Sequence, residues 1–345
     1  VMPTEIGHWD NLAEAQKATQ EVLVPGVIEE DIKRGGPIQF LPVQQTLGLR
    51  VDYLRETADR PTASKLGPGG STVATSATTY DKQQRDLSIG YVETDLDKFV
   101  AETFGGMNNY KDLQFKENQK AMVEFLNDKF FYGDATYASG DAEPDGMHAL
   151  AAAFPTGING ETNGLNIEPS GALTISSMRK ILRNMKHGAD AIFMPHILAD
   201  HIDAYTQEAG ISQVTNGLFP TTVDAFGREV PSFKGVPIIR TDYLVEEGAD
   251  TGEGSNARTK VSGSANWSIF FVKFGQVSEM NPGVGLLIGG EGQNAAGELF
   301  AHEEFDQLEG KLASKQRLST FYGFGDGSIM SIGRIFDITD AALTA

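Results

Sequence analysis

The sequence predicts an α+β fold with one long helix, a long polar hairpin before it and a mixed helix–strand region after it. Apolar side chains recur on one stripe through residues 109–131, with charged residues elsewhere, as in an amphipathic helix. Alternating apolar residues mark strands at 47–53 and 86–92, on either side of a polar stretch. Beyond residue 150, helical and strand patterns are interleaved, and the chain ends in a strand–turn–strand pattern at 315–339.

The amino-acid composition limits the classes of protein to which this chain can belong. The 345 residues are 40% hydrophobic and 22% charged, which is enough apolar material for a substantial core. The chain has no Cys, so it has no disulfide framework, thiolate zinc site or Cys nucleophile. Its net charge of −19 opposes binding to DNA through a basic face. The first residues lack a signal-peptide pattern, and no apolar run approaches the roughly 20 residues of a membrane span.

The pattern of residues 1–46 predicts an extended arm with few internal contacts. Five residues in it oppose continuous regular structure: Pro25, Gly35, Gly36, Pro37 and Pro42.

The polar stretch at 55–85 is long, rich in Thr, Ser, Gly and Ala, and poor in large apolar residues. As a hairpin it would have arms of about 15 residues that reach roughly 50 Å, whereas a compact chain of this length has a radius of gyration of about 20 Å. The hairpin therefore overhangs its own body, and is either disordered or lies on a neighbouring subunit. Its Thr and Val residues favour paired strands, with a turn at 65–71.

The helix at 109–131 is predicted to end near Gly133. An acidic, glycine-containing loop follows, with carboxylates at Asp134, Asp141, Glu143 and Asp145. Hard cations such as Ca²⁺ take carboxylate oxygens, but this spacing differs from that of a helix–loop–helix calcium site. The pattern favours a solvated connecting loop over a metal site.

Other chemical motifs are weak. His196 and His201 are five residues apart near Asp200, whereas zinc pairs on a helix prefer a spacing of four. The glycine-rich run from Gly289 lacks the dinucleotide spacing, and the GFGDGS segment from Gly323 is typical of a turn. The sequence thus predicts no catalytic, cofactor or metal site, and this favours a structural role.

The region after residue 150 supplies the remaining elements. The patterns predict two helices, at 175–185 and 197–208, a buried strand at 191–195, a strand–loop–strand segment at 227–244, and two further strands at 266–275 and 284–290.

This order of elements resembles the major capsid protein of tailed bacteriophages, the Hong Kong 97-type fold, which encapsulin shell proteins share. The resemblance covers nearly the whole chain. It rests on FFYGD at 130–134 followed by DGM at 145–147, ADAIFMP at 189–195, FKGVPII at 233–239, and the later strands at 267–275 and 317–338.

The resemblance implies a division of the chain. Residues 1–46 would be the N-terminal arm, and 47–95 the extended β-hairpin loop. Residues 96–150 and 296–345 would form the peripheral domain around the long spine helix. Residues 151–295 would form the axial α/β domain, and the acidic loop would carry the chain into it.

The implied function is that of a major capsid protein without enzymatic activity, cofactor or membrane. Copies would assemble as hexamers and pentamers into an icosahedral virion capsid in the host cytoplasm. That shell would enclose double-stranded DNA without sequence-specific binding, with scaffolding, portal and decoration proteins as further partners. Three alternatives remain: an encapsulin-type compartment shell, an α/β enzyme with an unseen active site, and a tail or surface adhesion protein, whose strand-dominated pattern conflicts with the three predicted helices.

Five basic residues of the loop are predicted to contact the acidic surface of a neighbouring subunit: Arg55, Arg60, Lys65, Lys82 and Arg85. The alternative for each of them is a solvated position in the loop.

The sequence also predicts that the subunits are not covalently joined. Some relatives of this fold crosslink a loop Lys to an Asn on the returning strand of a neighbour. Lys65 and Lys82 lie in the presumed loop, but no Asn follows Asn294. We expect mass spectrometry of denatured assemblies to give the mass of a single chain, and a ladder of covalently joined chains would contradict this.

Overall fold

The computed structural model describes residues 32–58, 79–99, 110–135, 143–152, 164–169, 171–208, 219, 221–223, 229–248, 260–289, 299–306 and 312–344. The first 31 residues of the predicted arm, Arg60, the predicted turn at 65–71 with Lys65, and Asp141 lie outside these ranges.

The described chain contains four α-helices and fourteen strands. The helices are α1 Tyr110–Tyr132, α2 Met147–Ala152, α3 Ile175–Asn184 and α4 His196–Glu208. The strands are β1 Val43–Thr46, β2 Arg50–Ala58, β3 Thr79–Asp86, β4 Ser88–Asp97, β5 Asn166–Ile167, β6 Ala191–Pro195, β7 Thr221–Val223, β8 Glu229–Phe233, β9 Val236–Thr241, β10 Asn266–Val272, β11 Val284–Gly289, β12 Ala301–Phe305, β13 Ala313–Asp326 and β14 Ile332–Thr339. In these residues no helix is both long and apolar enough to cross a membrane.

The long helix α1 forms close to its predicted bounds. Met122, Leu126 and Phe130 lie on one stripe and are fully buried. The helix ends at Gly133, whose amide donates to Lys129 O at 2.9 Å. A Cβ at Gly133 would lie 2.4 Å from Pro144 O, so the returning loop can pass this close only because the residue is glycine.

A five-stranded sheet is built around the 14-residue strand β13. Strand β4 pairs antiparallel with β13 along one side, from Ser88↔Tyr322 to Asp97↔Ala313. On the other side β11 and β12 pair with successive parts of β13, and β1 pairs parallel with β11. Helix α1 covers the inner face of this sheet, where the ring of Phe125 lies 5.7 Å from that of Tyr322.

Two predicted segments differ from expectation at this sheet. The predicted loop 47–95 includes β4, but β4 is a sheet strand, and the two-stranded hairpin of β2 and β3 stops at Asp86. Gly90 lets β4 pack under the helix, because a Cβ there would already lie 3.1 Å from Phe125. An alternating pattern identifies a strand but not its pairing partner.

The predicted arm also makes more contacts than expected over its last ten residues. Strand β1 extends the sheet, with Val43 paired to Leu286. Just before it, the amide of Ile38 donates to Asn127 Oδ1 on α1 at 3.1 Å, and Leu41 is buried. The prolines and glycines of this segment prevent a helix, but they leave an extended chain free to add to a sheet edge.

A seven-stranded mixed sheet has the order β5–β14–β10–β6–β9–β8–β7. Helices α3 and α4 cover one face, where Met178 and Ile181 belong to a core cluster with Ile192 and Ile335. The opposite face packs on the end of α1, and the rings of Phe130 and Phe193 are 6.1 Å apart there. Both faces are therefore buried, which explains why β6 is apolar throughout.

The chain crosses between the two sheets in a way that the predicted domain ranges do not show. Strand β11 falls within the predicted axial range 151–295 but lies in the sheet of β13. Strand β14 falls within the predicted peripheral range 296–345 but lies between β5 and β10. Buried strands of both sheets are equally apolar, so composition does not assign them to a sheet. The domain division as a whole stays a prediction.

We expect Phe130→Ala to lower the free energy of unfolding by about 3–5 kcal/mol, because it opens a cavity where α1 meets both sheets. Val123→Ala is the control on the same helix, since Val123 is 39% exposed, and it should change stability by no more than about 0.5 kcal/mol. Urea unfolding of the two variants measures the difference. An equal loss of stability in the two variants would contradict the burial of Phe130.

Candidate assembly surface

The hairpin of β2 and β3 has two different faces. The strands pair antiparallel, with Tyr53 opposite Gln83 and Arg55 opposite Asp81. Because side chains alternate along a strand, Tyr53, Arg55 and Arg85 share the face that lies against the body of the chain. Leu54 lies on the other face and is exposed.

A single buried carboxylate holds the inner face of the hairpin. Asp326, at the end of β13, is completely buried. Its Oδ2 accepts from the guanidinium of Arg55 at 2.7 Å, and its Oδ1 accepts from Arg85 Nε at 2.7 Å. The Tyr53 hydroxyl lies 2.9 Å from Oδ1 and 2.7 Å from the backbone oxygen of Asp326. Two cations and a phenol thus converge on one residue, which we call the Asp326 anchor.

The electrostatics of the anchor keep Tyr53 and Arg85 protonated, as hydrogen-bond donors to Asp326. Burial raises the pKa of the Tyr53 phenol, and the charge of Asp326 raises it further, so Tyr53 stays a protonated donor. Burial acts to lower the pKa of Arg85, but Asp326 outweighs it and the pKa rises. Breaking such a buried pair is costly, because one partner is left as an uncompensated buried charge.

The opposite face of the hairpin is exposed and carries both apolar and charged residues: Leu54 and Tyr80 lie beside the ion pairs Lys82–Asp52 and Arg50–Asp86. Six large apolar side chains of the hairpin and the strand segments beside it are between 61% and 78% exposed: Leu47, Leu49, Leu54, Tyr80, Ile89 and Tyr91. We call them the exposed apolar set. Leu54 and Tyr80 are diagonal neighbours on the hairpin, and Ile89 and Tyr91 share the outer face of β4. Soluble monomers rarely expose so many large apolar side chains together, and such surfaces mark protein contacts.

Beyond Ile89 and Tyr91 on β4, the outer face of the five-stranded sheet carries charged residues. Glu93 on β4 accepts from Lys315 at 3.0 Å and from Arg317 at 2.5 Å, both on β13. Arg317 also reaches Glu303 on β12 at 3.5 Å. The hydrogen bonds from Lys315 and Arg317 lower the pKa of Glu93. This face therefore has an apolar end at Ile89 and Tyr91 and a charged end with balanced signs.

Three of the five basic residues predicted to contact a neighbour have partners within the chain. Arg55 and Arg85 bind Asp326, and Lys82 pairs with Asp52 across the hairpin at 2.6 Å. Arg60 and Lys65 lie outside the described residues. The acidic group that the two arginines bind is thus their own chain's Asp326. Contacts of all five residues with a neighbouring subunit stay a prediction.

Sequence reasoning missed Asp326 and Tyr53. The sequence predicts a turn at GFGDGS from Gly323, but β13 continues through Gly323 and Gly325 and ends at Asp326. A signal did exist, because Tyr53 and Arg55 share a strand face and Asp326 is the one acid in an apolar, glycine-rich strand end. The pairing itself joins residues more than 270 positions apart, so no local pattern reveals it.

The other candidate residues from the sequence do not come together in one site. His196 contacts Asp242 at 3.1 Å and His201 contacts Asp340 at 2.6 Å, so these two histidines have different carboxylate partners. In the acidic loop, Asp145 Oδ1 accepts from the amide of Ala135 at 3.1 Å. Within the described ranges no group of three or more His, Cys, Asp or Glu side chains is placed to hold a metal ion.

Known structures match nearly the whole chain. The encapsulin SrpI from Synechococcus elongatus PCC 7942, in its holo complex, matches with a TM-score of 0.66 at 10% identity, over 96% of this chain and 97% of that one. The capsid of a native GTA particle matches with 0.57 at 11% identity, over 98% and 100%. The capsid of cyanophage P-SCSP1u matches with 0.57 at 12% identity, over 94% and 93%. No protein-family model matches the sequence, and no curated protein matches it at a significant level.

We expect Asp326→Asn to release the hairpin, because Arg55 and Arg85 lose their counter-charge, at a cost of about 3–5 kcal/mol. Hydrogen exchange should rise in β2 and β3 and stay unchanged in α1. Asp86→Asn is the control, because Asp86 is exposed and contacts only the exposed base of the hairpin at Arg50. Equal protection of the hairpin in the two variants would show that Asp326 does not hold it.

Proposed function

Because the chain has the Hong Kong 97-type fold of these capsids and of this encapsulin, we propose that it is the structural subunit of a closed, icosahedral protein shell. The observation that carries the proposal is the exposed apolar set on and beside a hairpin whose other face is already held by Asp326.

The exposed apolar set needs a partner. Leu54 and Tyr80 cannot fold back on the body of their own chain while Tyr53, Arg55 and Arg85 bind Asp326, because the two groups lie on opposite faces of the hairpin. Identical copies can cover this surface by symmetry, and repetition of the contact closes a shell. Stable contacts bury roughly 1,200–2,000 Å² in total, which large exposed apolar residues from two copies supply readily.

The finer proposal is a major capsid protein of a tailed bacteriophage. The capsids of the GTA particle and of the cyanophage align with this chain over almost their full length, which supports it. In that role the copies form hexamers and pentamers, with scaffolding, portal and decoration proteins as further partners, and the capsid assembles in the host cytoplasm. A net charge of −19 suits a container that encloses double-stranded DNA without reading its sequence.

A second candidate is an encapsulin-type compartment that encloses a protein cargo. The specific observation in its favour is the TM-score of 0.66 with the encapsulin, against 0.57 for the two capsids described above. Both candidates share the shell and differ in the contents. In neither role does the subunit catalyse a reaction.

The deciding experiment is electron cryomicroscopy of the purified chain, with light scattering on the same sample. Closed particles of uniform size support the shell. Nuclease-protected DNA inside them favours the capsid, and a co-purifying enclosed protein favours the encapsulin. A chain that remains monomeric, alone and with the other products of its neighbouring genes, would overturn the proposal.

We expect Ile89→Asp to abolish assembly while leaving the chain folded, because it places a charge in the apolar contact but disturbs no buried residue. Ile89→Val keeps the apolar surface and should assemble normally. Light scattering measures assembly, and circular dichroism checks the fold. Normal shells from Ile89→Asp would exclude this end of β4 from the contact.

A further inference from the structure

A buried polar network lies where α1, α2 and the seven-stranded sheet meet. Its centre is Glu247, which follows β9 and is almost fully buried. Glu247 Oε1 lies 2.7 Å from His148 Nε2 on α2 and accepts from the Tyr132 hydroxyl of α1 at 3.0 Å. Glu247 Oε2 accepts from Ser268 Oγ on β10 at 2.6 Å. One carboxylate thus receives hydrogen bonds from three separate elements.

The two ring nitrogens of His148 both face acceptors. Nδ1 lies 2.7 Å from the backbone oxygen of Phe131, which can only accept. Nε2 lies 2.7 Å from the Glu247 carboxylate. A neutral imidazole carries one N–H and one lone pair, so it satisfies one of these contacts and sets a lone pair against the other acceptor. Both contacts are hydrogen bonds only when the His148–Glu247 pair holds one extra proton, and the Tyr132 and Ser268 hydroxyls that donate to Glu247 favour the ionised carboxylate, with that proton on Nε2.

We propose that the folded chain holds His148 as a buried imidazolium, and that this proton locks α1 and α2 onto the seven-stranded sheet. The ring of His148 is fully buried and lies between Tyr132, stacked at 4.5 Å, and Phe270, edge-on at 4.7 Å. The proton is therefore shielded from solvent by packing on both sides of the ring.

The charges around the site are consistent with an ionised Glu247. From β14, Arg334 approaches Glu247 Oε2 at 3.6 Å and donates to Ser268 Oγ at 3.2 Å. Lys260 lies over the Tyr132 ring at 4.7 Å and pairs with Asp128 of α1. Burial acts to raise the pKa of Glu247, but His148, Arg334 and Ser268 outweigh it and lower that pKa. Burial likewise raises the pKa of Tyr132, which stays a protonated donor.

The network is not a catalytic site. The Ser268 hydroxyl donates to Glu247 and accepts from Arg334, so its hydrogen-bonding capacity is used inside the network. His148, Glu247 and Ser268 are each at most 2% exposed, and no substrate reaches them. The arrangement is suited to holding elements together, because a proton gained or lost at His148 changes contacts with three of them.

The direct test is ¹⁵N-histidine NMR of the assembled or sedimented protein at pH 8. The wild-type chain should show an imidazolium with two N–H protons that is missing from the spectrum of His148→Gln. Glu247→Gln removes the counter-charge of His148, so the imidazolium signal should also be missing from its spectrum. This second variant assigns the signal to His148 if His148→Gln does not fold. A neutral imidazole at His148 at pH 8 overturns the proposal.

Discussion

The direction of the hairpin depends on one buried carboxylate, Asp326. The hairpin has no apolar core of its own, and the ion pairs that Asp326 makes with Arg55 and Arg85 fix which face lies inward. Leu54 and Tyr80 of the exposed apolar set consequently face outward. A polar anchor suits this position, because hydrogen bonds and charge pairs specify one orientation.

The body of the chain is held by aromatic packing at the end of α1. Phe130 and Phe131 contact Phe193 of the seven-stranded sheet, and Phe130 also contacts Phe324 of the five-stranded sheet. The chain crosses between the sheets through β11 and β14, so neither sheet is continuous in sequence. The polar network at Glu247 borders the same junction. The hairpin anchor at Asp326 is two residues along β13 from Phe324, which belongs to this junction.

The hairpin exposes Leu54 and Tyr80 and buries the charges of Arg55 and Arg85 against Asp326, which inverts the usual distribution at these positions. In a monomer this arrangement exposes apolar surface to water and buries charge. In an assembly of copies the exposed apolar set becomes buried, while the anchor holds the hairpin ready to bind and reduces the flexibility lost on association. The acidic net charge opposes non-specific association, so the contacts that form must be specific ones.

The sequence by itself determined the long helix, its glycine end, the buried strands and the two strands of the polar hairpin, because these follow from local periodicity and turn chemistry. It also predicted the fold class, through the order of these elements. Only the tertiary structure decided that β4 and β1 join the sheet, that Ile89 and Tyr91 face outward, and that Asp326 and Glu247 each gather distant partners. Periodicity shows which residues share a face, but not which element covers it, because pairing is set by contacts between residues hundreds of positions apart.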